Sequence, residues 1–423
     1  MKGKRTCSRT IFDPKLECTL RTDDSLAEQR HKNHHEGVSP LLSLGVKLLS
    51  QVPIEPMHNV YIGCSRRFFK FLFSSKKRVS KVYITQSVLK NLSDFLMSIK
   101  PYYVTEFNRS LRPLTEYPNY KASENRRLSL YDAFFLLILL QDERISKVHN
   151  LYAYAIRILE DEDLIDKFRS DADEDLVDKY RSDAERLLRI FVIESSKLFG
   201  ELFNVFNVHC LVHLSDETAR HGCLMKFSAW KYESYLGQIK RSLRAPGRTL
   251  QQIVCRLMEK RSLLCSKQEA SAKEDAVCVS QPHVCGPTIG TCDEQYHFMS
   301  VRDLGTFRVR SPNDACFVST RGEVCVLRNI VRNNGEIKLV YRAFEEILPF
   351  FEYPFSSLFL GICKVKKLGP LKMLALTDMK KKAVLLPANE CDVLPNPNFT
   401  WMNNVQCVCL PMLHHDKLSE MID

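Results

Sequence analysis

Phe227-Ser-Ala-Trp-Lys-Tyr-Glu-Ser-Tyr-Leu-Gly-Gln-Ile-Lys-Arg241 is the stretch on which the fold of this chain is read. Leu236, Ile239 and Leu243 recur at helical spacing and predict a helix over Trp230 to Arg244, with those three side chains toward a core. Glu233, Gly237, Lys240 and Arg244 share another face of it, a carboxylate followed by a gap and two cations. Spacing alone gives an amphipathic surface helix with an ordinary glutamate.

Far upstream stands Val52-Pro-Ile-Glu-Pro-Met-His-Asn-Val-Tyr61, and nearly everything between the two strings has a helical period. Helices are expected over Met57 to Phe73, from an N-cap at Thr85 to Ile99 ahead of Pro101, and over Ser129–Gln141, Ile145–Glu160 and Ala184–Phe199. Inside this block Asp161-Glu-Asp-Leu-Ile-Asp-Lys-Phe-Arg-Ser-Asp-Ala172 is followed at once by Asp173-Glu-Asp-Leu-Val-Asp-Lys-Tyr-Arg-Ser-Asp-Ala184. Two copies are too few for a solenoid, and a duplication in an inter-helix connection explains them at little energetic cost. A Ca²⁺ loop of the EF-hand kind needs a glycine and a terminal glutamate that the repeat lacks.

Residues 1–51 read as a polar lead-in segment, and 263–300, a mixture without apolar periodicity, as a linker. Short strands are expected at Phe307–Val309, Ala315–Val318, Glu323–Leu327 and Ile337–Tyr341, with hairpin turns at Arg321-Gly322 and Asn333-Asn-Gly335. A small β-rich domain over 301–416 follows.

Apolar residues are 45% of the 423 and charged residues 26%, a globular composition. The longest apolar run, Ala133 to Leu140, falls far short of the roughly 20 residues that cross a bilayer, so no membrane partner is expected. No secretory signal is read at the N-terminus, and the sixteen cysteines at irregular spacing are expected as free thiols inside a cell. The net charge of +11 favours an anionic partner. It is concentrated in two clusters, seven basic and no acidic residues from Cys64 to Lys81 and eight basic against two acidic from Lys231 to Arg261. Either is a solvated helix face or a surface for nucleic-acid phosphates.

Both strings resemble segments of the catalytic domain of CACTA (En/Spm-type) DNA transposases. The resemblance is carried by Tyr-Glu-x-Tyr-Leu-Gly-x-Ile-Lys-Arg at 232–241 after a His-Leu-x-Asp-Glu helix at 213–217, and by Glu55-Pro-Met-His58. It implies a mixed, mainly α chain: a partial RNase H-like domain over 52–262, with a large helical insertion at 59–225, ahead of the β-rich domain. Such enzymes cut DNA with two metal ions held by three carboxylates, two aspartates on strands and a glutamate on a later helix. Glu233 matches the glutamate, which makes it the expected catalytic residue and ancestral Mg²⁺ ligand. No counterparts of the two aspartates are found, so the chain is expected to be a C-terminal portion whose cleavage activity is lost. Mg²⁺ enters only if the site is completed, and no other cofactor is expected.

Glu55 stands where the family usually has aspartate, and with His58 it is expected to support the site or orient the following helix. His209 and His213, one helical turn apart, have the spacing of a two-histidine zinc site; the family carries a similar string, which favours buried, hydrogen-bonded histidines beneath the site. Cys278, Cys285 and Cys292 match no compact zinc knuckle. DNA is expected to be held without sequence preference by Arg66, Arg67, Lys76, Lys77, Arg78, Lys240, Arg241, Arg244 and Arg256, in the nucleus. A different class of function is a protein interaction module that binds a full-length transposase or itself and inhibits it. An active nuclease is a third, and requires the two aspartates.

Overall fold

The computed structural model describes residues 4–5, 10–15, 19–30, 37–73, 82–107, 109–166, 174–268, 276–394, 397–399, 401–403 and 405–413. In the lead-in, β1 (Lys4–Arg5) pairs antiparallel with β2 (Thr10–Ile11), and α1 (Asp23–Ala27) opens on a reciprocal cap between Thr22 and Ser25. Asp23 Oδ1 accepts the Leu49 and Ser50 amides at 2.7 and 3.2 Å, which fixes this carboxylate as a loop clasp.

The helical block begins with a wide-turned π-helical stretch, Met57–Ser65, that runs on as α2 (Arg66–Leu72). In α3 (Gln86–Ser98) Thr85 Oγ1 accepts the Val88 amide at 3.3 Å, a cap that contributes about 1 kcal/mol, and Leu89, Leu92 and Leu96 are buried. The helix expected at Ser129–Gln141 is present, but it opens as a second π-helical stretch, Leu128–Asp132, that continues α4 (Ala122–Arg127) and runs on as α5 (Ala133–Leu139). Ser65 Oγ and Ser129 Oγ are hydrogen-bonded and Tyr152 OH donates to Val60 O at 3.2 Å, so the two wide turns are tied together in the core.

Two long helices, α6 (Glu143–Glu160) and α8 (Glu174–Phe199), pack as a pair, with the Tyr152 and Phe191 rings 5.2 Å apart. Among its described residues the duplicated segment does not fold as two equal units. Its first copy gives the single turn α7 (Glu162–Ile165), whereas the second starts α8 ten residues ahead of the expected Ala184, because Val177 and Ala184 both find the core. After α9 (Phe206–His209) and α10 (Leu214–His221) come α11 (Trp230–Ser242) and α12 (Thr249–Gln268), which pack on each other. Among the described residues of 52–262 no strand element occurs; Val205 makes one isolated bridge to Ile11.

The expected linker at 263–300 is corrected. It holds the end of α12, β3 (Val277–His283) and β4 (Glu294–Val301), whose pairing the polar residues and Pro282 hide from a periodicity reading. The sheet continues with β5 (Gly305–Arg308), β6 (Cys316–Ser319), β7 (Val324–Asn333), β8 (Glu336–Pro349), β9 (Cys363–Ala375), β10 (Met379–Pro387) and β11 (Cys407–Pro411). Every pairing is antiparallel. Strand β7 pairs with β8 on one edge and with β6 and β4 on the other, and β8, β9, β11, β10 and β6 return to it, so six strands close into a barrel. Both expected hairpin turns carry positive φ, at Gly322, Asn334 and Gly335.

The barrel shares its core with the helices. Lys382, fully buried, donates to Glu106 at 2.6 and 2.7 Å, to Asp314 at 2.8 Å and to Thr306 O at 2.5 Å. Arg157 spans the same boundary, donating to Leu130 O at 3.0 Å and Pro411 O at 2.6 Å. Lys381 pairs with Asp161 and Asp163 of the first repeat copy at 2.6 and 3.2 Å, giving those carboxylates a structural use.

Candidate functional site

Glu55 precedes a helix start whose first amides have no intrahelical acceptor. Its Oε1 accepts the Met57 amide and its Oε2 the His58 amide, both at 2.8 Å, which suits a negative charge at a helix N-terminus. The same Oε1 accepts the Ala229 amide at 2.6 Å and the Ser228 hydroxyl at 3.2 Å, at the head of α11. One carboxylate thus fastens two helix starts, reaching Ala229 across 174 positions, and the Tyr61 and Trp230 rings of the same two helices lie 6.2 Å apart. Burial pushes Glu55 up, but the Ala229, His58 and Met57 amides together with the His58 side chain outweigh it and hold the carboxyl below its usual range.

His58 Nδ1 lies 2.6 Å from Glu55 Oε2, which places the ring proton on Nδ1, and its Nε2 lies 4.0 Å from Glu233 Oε1. The result is a chain Glu55–His58–Glu233 in which His58 and Glu233, each 55% exposed at the side chain, face solvent while Glu55 is 26% exposed. The two sequence strings therefore meet, and Glu233 sits where they join.

The donor set does not fit a pair of Mg²⁺ ions. Five hydrogen bonds use the oxygens of Glu55, an imidazole nitrogen is a poor partner for a cation that takes oxygen, and Glu233 alone remains. Among the described residues no group of three or more His, Cys, Asp or Glu is placed to hold a metal ion.

Helix α11 departs from the expectation for its apolar face. None of its residues is buried, and Leu236, expected toward the core, is 58% exposed. Tyr232, Leu250, Val254 and Met258 are exposed on the same two-helix unit. The helix also stops at Ser242, short of Arg244: Leu243 is extended, Pro246 disfavours helix at Ala245, and Gly247 takes positive φ. Gln252 closes the turn, accepting the Arg244 amide at 3.0 Å and donating to Ala245 O and Gly247 O at 2.9 and 2.8 Å. Lys240, Arg241 and Arg244 are exposed, whereas Arg256 is paired with Glu259 at 2.5 Å.

The first basic cluster is more deeply committed than its sequence suggests. Arg66 donates to Pro118 O, and Arg67 donates to Phe203 O at 2.8 Å and to Leu202 O while lying over the Phe71 ring at 4.6 Å. These arginines hold the scaffold. Lys76, Lys77 and Arg78 lie outside the described residues.

His209 and His213 adjoin, ring centroids 5.4 Å apart, but His209 stacks flat on Phe12 at 4.6 Å and its Nδ1 has no hydrogen-bond partner among the described residues. The expectation of hydrogen-bonded histidines is thereby corrected for this nitrogen. Burial, with His213 beside it, pulls His209 down to about 4, and burial also lowers His213. The sequence reading missed the role of Ser228 and Ala229 as donors to Glu55; the signal was a carboxylate set just before a helix start, an anchor for free amides.

Among the described residues no helix is long and apolar enough to cross a membrane. Residues 282–408 match a family model described as a domain of unknown function, DUF8592, and that span runs from the end of β3 into β11, the barrel with its β4 and β5 extension. No curated protein and no solved structure matches the chain.

Proposed function

We propose that this is a transposon-derived protein that binds DNA through phosphate contacts without sequence preference and does not cut it. The observation that carries the reading is the meeting of Glu55, His58 and Glu233 at the head of an exposed helix that ends in Lys240 and Arg241. Those are the residues by which the sequence resembles CACTA transposases, and on this reading the helical block corresponds to the insertion of an RNase H-like enzyme. Glu233 is the remaining third carboxylate, and a lone carboxylate does not hold two metal ions. Lys240, Arg241 and Arg244 are the cations offered to the duplex, in a nuclear protein.

Fluorescence anisotropy with a labelled duplex tests the reading. Wild-type protein is expected to bind random-sequence duplexes alike, and Lys240→Ala/Arg241→Ala/Arg244→Ala to bind at least tenfold more weakly at low salt. Equal affinity of wild type and triple variant would remove α11 from the interface.

A second reading, a protein interaction module that engages a transposase, is favoured by the exposed Tyr232, Leu236, Leu250, Val254 and Met258 on α11 and α12. Co-purification with an intact relative, lost in Leu236→Asp/Met258→Asp, distinguishes it from DNA binding.

A further inference from the structure

Where the π-helical stretch Met57–Ser65 passes α9, the surface opens into a cavity of about 560 Å³. That volume is within the range of small-molecule sites, roughly 300–1,000 Å³. Its wall carries Arg66, Arg67 and Lys70, and no carboxylate among the described lining residues. Phe206 projects beside them, 61% exposed although its helix is part of the core block, and Asn207 and Tyr117 complete the polar side. Gly63 is the reason Asn207 can sit there: a Cβ at position 63 would lie 2.3 Å from Asn207 Nδ2.

Three cations at one end, an open aromatic ring and an amide side chain are the groups that an unstacked nucleotide uses. Its phosphate takes the cations, its base stacks on the ring, and its edge meets the amide. Arg66 lines the cavity, half-buried, with one Nη on Pro118 O, and Lys70 is exposed. Arg67, engaged with Phe203 O and Leu202 O, adds its charge from behind. A regular duplex does not enter such a recess, since its bases are stacked and paired. We propose that this cavity holds one nucleotide of single-stranded DNA, with Arg66 and Lys70 on the phosphate and Phe206 under the base.

The proposal rests on the DNA-binding reading above and narrows it to a second, single-strand site apart from the α11 cations. The test uses the full chain with labelled oligo-dT and a labelled duplex of equal length, by anisotropy. Phe206→Ala is expected to weaken dT binding about tenfold, the size of one base–aromatic stacking contact, with duplex affinity unchanged. Phe206→Trp should retain dT binding, which separates loss of the ring from loss of fold, and Lys70→Gln should flatten the salt slope for dT by about 0.7. Unchanged dT affinity in both Phe206→Ala and Lys70→Gln overturns the site, as does an equal loss toward duplex in Phe206→Ala. Binding of duplex but not of dT by wild type overturns this proposal and leaves the DNA reading standing; binding of neither overturns both. Tighter binding of oligo-rU than of dT would overturn the assignment to DNA.

Discussion

His58 Nε2 lies 4.0 Å from Glu233 Oε1, while its Nδ1 lies 2.6 Å from Glu55. The histidine is held from behind by a carboxylate committed to helix starts and faces one that is open to solvent. Glu55 therefore fixes the ring, and Glu233 adjoins it beyond hydrogen-bond distance.

Glu55 should be worth more to folding than its solvent-facing partners. Glu55→Gln removes charge-assisted bonds to the amides of Met57, His58 and Ala229 and is expected to lower stability by about 1–3 kcal/mol at pH 7, read from urea denaturation. The sign of its pH dependence follows from a folded carboxyl held below its usual range. Its contribution is complete above the unfolded value, about 4.3, and is lost as pH falls through the lower folded one, so the gap between wild type and variant should close on acidification. A gap that widened toward low pH would contradict the hydrogen-bond account.

Lys382 should be a highly sensitive charge. Lys382→Met leaves Glu106 buried without its cation and Asp314 with Arg308 alone at 3.6 Å, and is expected to cost about 3–5 kcal/mol, with recovery when both carboxylates are also made apolar. A loss below about 1 kcal/mol would mean that water reaches the boundary between barrel and helices.

The apolar residues of α11 should behave as surface residues. Leu236→Ser is expected to change stability by no more than about 0.5 kcal/mol, against about 2–5 kcal/mol for Leu96→Ala in the core of α3. A large loss for Leu236→Ser would show that α11 is covered in solution.

What the sequence made legible follows the strength of local patterns. Thr85 and Pro101 mark α3 because a cap and a helix breaker act within a few residues, and Gly322 and Gly335 mark hairpins because few other residues take those φ values. Strands β3 and β4 were not legible: Pro282, Gln281 and the cysteines break the alternation, and only pairing with each other and with β7 makes them strands. The burial of α11 was misjudged because Leu236, Ile239 and Leu243 show where a helix is apolar, not whether another element covers it. At the candidate site Glu233 and His58 could be named in advance, whereas their proximity could not, since it depends on the Ala229 amide reaching Glu55 across 174 positions. The same limit hid Lys382, whose carboxylates come from a helix connection and from the turn before β6.

Metal binding separates a positioning junction from a working two-metal centre. Isothermal titration with Mn²⁺ should show no site tighter than millimolar in wild type or in Glu233→Gln, since Glu55 has no oxygen to spare. Micromolar binding abolished by Glu233→Gln, with Mn²⁺-dependent nicking of plasmid DNA, would restore the enzyme.

The most direct measurement is the salt dependence of duplex affinity for the whole chain, taken by anisotropy on several unrelated sequences. With Lys240, Arg241 and Arg244 on phosphates, log K should fall linearly with log salt at a slope of about −3 or steeper, alike for every sequence, and flatten in the triple alanine variant. No measurable binding at low salt, or a slope near zero, would contradict the account.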